Sequence, residues 1–177
     1  MHWMFLPLKR YAEFSGRSRR MEYWMFMLFL FLVYIAMIVL MVVAGGSALM
    51  AGASNNPGGL MAAGGAVMII FFLYILFALA MFIPALAVTV RRLHDTNRSG
   101  KWVLGLVGAY AVMFIGGVLA AGSPDNPGLG GILSLIGAIA AIGLALTLLV
   151  FMFLEGTRGP NNYGPDPKGE ALDKVFA

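Results

Sequence analysis

Between Tyr23 and Val90 the chain carries no Asp, Glu, Lys or Arg across 68 consecutive residues. A water-soluble fold of this size cannot hide so long an uncharged run, because small globules bury only part of the surface their unfolded chains expose. A bilayer can: about 20 apolar residues rising 1.5 Å each cross its roughly 30 Å of hydrocarbon. The whole chain of 177 residues agrees, with 60% apolar and 11% charged, where ordinary soluble domains carry about 25% charged residues. That balance excludes a soluble enzyme domain and a disordered tail. The absence of cysteine excludes a disulfide scaffold and a cysteine-ligated metal site.

The uncharged run is too long for one crossing. Gly45 to Gly65 is rich in Gly, Ala, Ser, Asn and Pro and divides it, with Asn55, Asn56 and Pro57 as turn formers that belong outside hydrocarbon. The predicted spans are 23–44, 66–90, 102–121 and 132–154, the last pair separated by the turn-rich stretch from Gly122 to Gly131. Continuous apolarity, rather than alternation over roughly 10 residues, selects helices over barrel strands. The expected fold is all-α: an integral membrane four-helix bundle forming a single membrane domain over 1–177. Residues 1–22 would be an interfacial segment, with Trp3, Phe5, Leu8, Tyr11 and Phe14 set among Lys9 and Arg10, and residues 155–177 a C-terminal loop and tail.

The cations predict an orientation. Lys9, Arg10, Arg17, Arg19 and Arg20 precede the first span; Arg91, Arg92, Arg98 and Lys101 lie between the second and third; Arg158, Lys168 and Lys174 follow the fourth. All 12 fall on one side, and the opposite loops hold a single charge, Asp125. By the positive-inside rule, both termini and the central loop are cytoplasmic in a bacterial inner membrane. Ser18, Arg19 and Arg20 imitate a twin-arginine export signal, but the apolar stretch behind them exceeds the roughly 7 to 15 residues typical of a signal peptide's apolar core.

Small residues are the expected packing seams, because helices in lipid associate through close backbone approach. Gly137, Ala141 and Ala145 form one stripe, and Gly108 with Gly116 and Gly105 with Ala109 form others; a homodimer face is the alternative use. Pro84 removes a backbone donor from the second span. The 13 Met read as gap-fillers rather than copper ligands, and His2 and His94 alone cannot make a zinc centre, so no metal or cofactor is expected.

Three polar segments on the predicted cytoplasmic side are more specific than membrane punctuation. They are YAEFSGRSRRMEYW (Tyr11 to Trp24), VRRLHDTNRSGKW (Val90 to Trp102) and EGTRGPNNYGPDP (Glu155 to Pro167). Gly16 permits a turn into the first span. If the second helix runs on past Val90, Arg91, His94, Asp95 and Arg98 share a face, so that Asp95 would neutralise Arg91 or Arg98 and raise the His94 pKa. Asn97 and Gly100 would stop that helix and Ser99 cap the next. The third segment, alternating Gly with Pro, would be an extended loop folded against a surface.

These motifs resemble those of a known family. Phe14 to Trp24, Arg91 to Gly100 and Gly156 to Pro167, in this order over nearly the whole chain, are similar to the hallmarks of the small bacterial inner-membrane proteins known as domain of unknown function 805. Lys101 stands where the family commonly has a Trp. The resemblance implies a four-helix inner-membrane protein and no particular biochemistry.

Several uses of these segments compete. The arginines serve as membrane anchors under the positive-inside rule alone. Alternatively, Arg17, Arg20, Glu22, Arg91, Arg92, His94, Asp95, Arg98, Asn161 and Tyr163 form a binding surface for an anionic lipid headgroup, a phosphorylated metabolite or a protein partner, since arginine forks match phosphate. The expected function is thus a structural, interaction or anionic-ligand-binding module acting through the cytoplasmic face, with a small transporter or channel component as the alternative. Transport is disfavoured by spans without ionisable side chains. An enzyme using His94 and Asp95 is disfavoured because neighbours on a helix point about 100° apart. Nucleic acid is not an expected partner, because the cations form one membrane-facing ring.

Overall fold

The computed structural model describes residues 2–122 and 128–169. Asp125, Glu170, Asp173 and Lys174 lie outside them. Among the described residues the chain is all-α: α1 (His2–Lys9), α2 (Arg20–Ala53), α3 (Pro57–Asp95), α4 (Lys101–Ala121) and α5 (Gly128–Phe153). The last four are long and apolar enough to cross a membrane. They expose large apolar side chains such as Val42, Leu79, Phe114 and Ile139, a surface suited to hydrocarbon and not to water.

One expectation is corrected. The stretch from Gly45 to Gly65 is not an irregular divider; α2 runs through it to Ala53, and α3 begins at Pro57. Its many Ala residues favour helix, and a helix satisfies its own backbone groups, which hydrocarbon requires of any segment near it. Only Ser54, Asn55 and Asn56 turn. Asn55 takes φ 50°, and the Asn56 side-chain oxygen accepts the Gly59 N–H at 3.0 Å as an N-cap, with Pro57 in the first helical position. The two helices therefore reach about 51 and 58 Å at 1.5 Å per residue, longer than the hydrocarbon is thick.

Contacts divide the chain into two units, Met1–Glu13 with Trp24–Ala87, and Phe14–Tyr23 with Val88–Ala177. In the first unit α1 is a short helix carrying Trp3 and Phe5, and the Phe5 ring meets Phe29 edge-on at 5.3 Å. Tyr34 packs against Tyr74 and Phe77, both at 5.5 Å between ring centroids. α3 continues through Pro84, whose missing N–H would have bonded the Ala80 carbonyl four residues back. The Tyr11 hydroxyl donates to that carbonyl at 2.5 Å, so the interrupted ladder is closed from the interfacial segment.

In the second unit α4 and α5 pack backbone to backbone. A Cβ on Gly116 would lie 2.3 Å from the Ser134 nitrogen, one on Gly130 2.5 Å from the Ala120 nitrogen, and one on Gly137 2.4 Å from the Met113 nitrogen. Gly116, Gly137 and Ala141 are thus seam residues as expected, and Ala109 is buried. Gly108 is not, since nothing lies within 4 Å of where its Cβ would be. Gly130 joins the seam from a stretch read as a turn; α5 begins at Gly128, two residues ahead of it.

Candidate binding site at the polar end of the second unit

The site grows from the end of α3. Its apolar span stops at Val90, and Arg91 to Asp95 form a polar last turn beyond it. Asn97, at φ 57°, ends the helix, and the Ser99 hydroxyl accepts the Lys101 N–H at 3.3 Å at the start of α4. Gly16, at φ 80°, turns residues 17–20 alongside, where the Ser18 N–H donates to the Arg91 carbonyl at 3.2 Å. The first and second polar segments therefore meet.

Two buried ion-pair clusters hold them. Arg17 approaches Asp95 Oδ1 at 2.9 Å while Arg92 donates to Asp95 Oδ2, so one carboxylate serves two guanidiniums; separately, Arg91 pairs with Glu22 at 3.0 Å. These five side chains are at most 7% exposed. Ions so deeply buried persist only when paired and hydrogen-bonded, and removing one partner strands the other at about 3–5 kcal/mol.

The third segment closes over this floor. The Thr157 N–H and hydroxyl both donate to the Asp95 carbonyl, at 2.9 and 3.2 Å, and the Asn161 amide donates to the His94 carbonyl at 2.9 Å. Arg17 donates to the Gly159 carbonyl at 2.7 Å and to that of Thr157. The loop passes so near the floor that a Cβ on Gly156 would stand 2.1 Å from Asp95 Oδ2, which is why glycine is required there. Cations also cap α5. Arg92 donates to the carbonyls of Met152 and Leu154, and Arg20 to that of Phe153 at 3.3 Å, where the helix leaves carbonyls unpaired and its dipole is negative.

The predicted site residues separate into groups. Arg17, Glu22, Arg91, Arg92 and Asp95 are internal struts. Arg20 pairs with Glu155 at 3.1 Å near the surface. His94 stacks on Tyr163, with centroids 3.9 Å apart and planes 4° from parallel, and its Nδ1 faces the Gly16 carbonyl at 3.2 Å. Asn161 anchors the same corner. Arg98 does not join them: its guanidinium lies 4.0 Å over the Phe151 ring, and it donates to the Thr96 carbonyl at 3.4 Å. Nor does Asp95 neutralise Arg91 or Arg98, because Arg17 and Arg92 occupy its carboxylate. Its charge therefore does not govern His94, whose pKa burial holds below the ordinary 6.5, partly opposed by the Gly16 carbonyl.

The arrangement leaves a cavity of about 530 Å³ between the first and third segments. Arg17, Arg92 and Asp95 form its floor; Arg19, Arg158 and Lys168 stand around it, and Asp166 lies at its side. Arg19 donates to the Pro167 carbonyl, at 2.8 Å from Nε. Asp166 accepts the N–H groups of Gly159 at 3.0 Å and Lys168 at 2.9 Å, and chiefly the latter bond lowers its pKa. Sequence reasoning missed Arg19, Arg158, Asp166 and Lys168 as cavity residues. Their presence in the motif segments was the available signal, but which cations face inward depends on the path of a loop without periodicity.

Residues 11–165 match the family described as "Protein of unknown function (DUF805)". The chain is similar to the inner membrane protein YhaI of Escherichia coli K12, 34% identical over 168 residues covering 95% of this chain and 97% of the relative. It is also similar to the inner membrane protein YhaH of that organism, 30% identical over 172 residues covering 96% and 99%. No solved structure matches it.

Proposed function

The chain belongs to the family described as protein of unknown function (DUF805), and on that premise we propose that this membrane protein is an anion-binding module of the bacterial inner membrane, acting through its cytoplasmic face. Both termini and the loop between α3 and α4 are cytoplasmic in this reading, because the cations all cluster on one side. The buried ion pairs are scaffold, and the binding surface is the cavity they support.

The observation that carries the reading is the contrast in pairing around that cavity. Its floor is built from buried, hydrogen-bonded ion pairs, whereas Arg158 and Lys168 are exposed and form no ion pair among the described residues. Exposed cations over a cationic floor receive anions from a lipid headgroup, a solute or an acidic partner.

Because the chain has no cysteine, single introduced cysteines report the topology cleanly. An impermeant maleimide applied to intact spheroplasts should label Asn56→Cys, and should label Ala12→Cys only after lysis; the reverse pattern refutes the orientation. For binding, the full chain in zwitterionic nanodiscs should capture small anions, and Arg158→Ala combined with Lys168→Ala should abolish capture.

A further inference from the structure

We propose that the cavity is a phosphate-monoester site, taking the dianionic phosphoryl group of a small metabolite or lipid headgroup. This deepens the reading above and rests on it.

The charge count points to a dianion. Arg17 and Arg92 share the single carboxylate of Asp95, and Arg20 is matched by Glu155. Arg158 and Lys168 face the cavity with Asp166 as the remaining carboxylate. Even with Arg19 set aside, positive charge exceeds negative by two among these side chains. A carboxylate or a phosphate diester offers one negative charge, whereas a monoester carries about −1.5 to −2 at pH 7.

Geometry points the same way. The surplus charge on the floor belongs to guanidiniums at most 2% exposed, where the field is screened far less than in water. Arg158 and Lys168 lie at the exposed mouth and give access from solution. The Arg158 guanidinium and the Lys168 ammonium, which line this space and are exposed, are donors that phosphoryl oxygens accept. At about 530 Å³ the cavity also exceeds a bare phosphate, and falls in the roughly 300–1,000 Å³ range of small-molecule sites. An organic remainder therefore fits beside the phosphoryl group, with Glu155 and Asp166 as acceptors for its hydroxyl or amino groups.

The test uses the full chain in zwitterionic nanodiscs at pH 7.5, titrated calorimetrically with glycerol phosphate, a monoester, and dimethyl phosphate, a diester. The monoester should bind at least tenfold more tightly. Arg158→Ala with Lys168→Ala should remove that preference, while Arg98→Ala, a cation outside the cavity, should keep it. Equal binding of the two probes overturns the monoester assignment and leaves the anion-binding reading standing; binding of neither overturns both. Both exchanged side chains are exposed, so circular dichroism and a monodisperse elution profile should match wild type. Nanodiscs doped with phosphatidic acid separate the two sources. Loss of glycerol phosphate binding there, restored when phosphatidylglycerol replaces phosphatidic acid, identifies a lipid headgroup; unchanged binding identifies a solute. Either result supports the site.

Discussion

The two turns that bound α3 solve the same problem differently. At Ser54 to Asn56 every stabilising bond is local: the Ser54 hydroxyl donates to Met50, four residues back, and Asn56 caps Gly59, three residues on. At the other end the backbone of Arg91, His94 and Asp95 accepts bonds from Ser18, Asn161 and Thr157, residues 67 or more positions away in two of the three cases. A locally closed turn only reverses the chain. A turn closed by distant segments becomes a hub, and here the hub carries the ion pairs and the cavity.

The contrast predicts unequal sensitivity. Asp95→Ala should be the most damaging change, since it strands Arg17 and Arg92 in a buried site, at about 3–5 kcal/mol. Thermal unfolding in detergent would measure it, and a loss below about 1 kcal/mol would remove the idea of a hub. Gly156→Ala follows at about 1–3 kcal/mol, the usual cost of overpacking, because its methyl group collides with the Asp95 carboxylate. Limited proteolysis should then cut between 155 and 169 faster than in wild type, and an unchanged rate would mean that the loop does not depend on close approach. Asn56→Ala should cost about 1 kcal/mol, the usual worth of an N-cap. Hydrogen exchange should quicken only around 54–60; a response at 155–169 would break the distinction between the turns.

The smallest effect is set by pH. Unfolded His94 takes up its proton near 6.5 and the folded residue only at lower pH, so between those values the unfolded chain binds more protons. Stability is therefore complete above about pH 6.5 and falls as the pH drops through the folded pKa. With the intrinsic slowing of amide exchange in acid divided out, protection at 155–169 should fall on acidification, and His94→Gln should flatten that fall; a fall that persists in the variant assigns it to another group.

Different parts of the molecule were legible to different degrees. Four spans, their helical nature and the Asn55 to Pro57 turn follow from apolar run length and turn chemistry. The extent of α2 and α3 did not, because Gly-rich sequence reads as loop in water while hydrocarbon rewards unbroken hydrogen bonding. In the site, Arg17, Arg92, Asp95, Asn161 and Tyr163 were named from residue type, but Asp95 was expected to pair with Arg91 or Arg98 and pairs with Arg17 and Arg92. The helical face that groups Arg91, His94, Asp95 and Arg98 ignores the i, i+3 partner Arg92, and it assumes that Arg98 is still on the helix, which ends at Asp95.

By itself the sequence determined the environment, because 68 uncharged residues leave the chain no medium but a bilayer, and it confined the polar chemistry to three segments. Only the tertiary structure decided which arginines are struts and which face the cavity. Residue type states that a guanidinium needs partners. Whether these are a buried carboxylate, the last carbonyls of a helix or an anion from outside depends on segments separated by 60 to 148 positions being folded against one another, which no local pattern encodes.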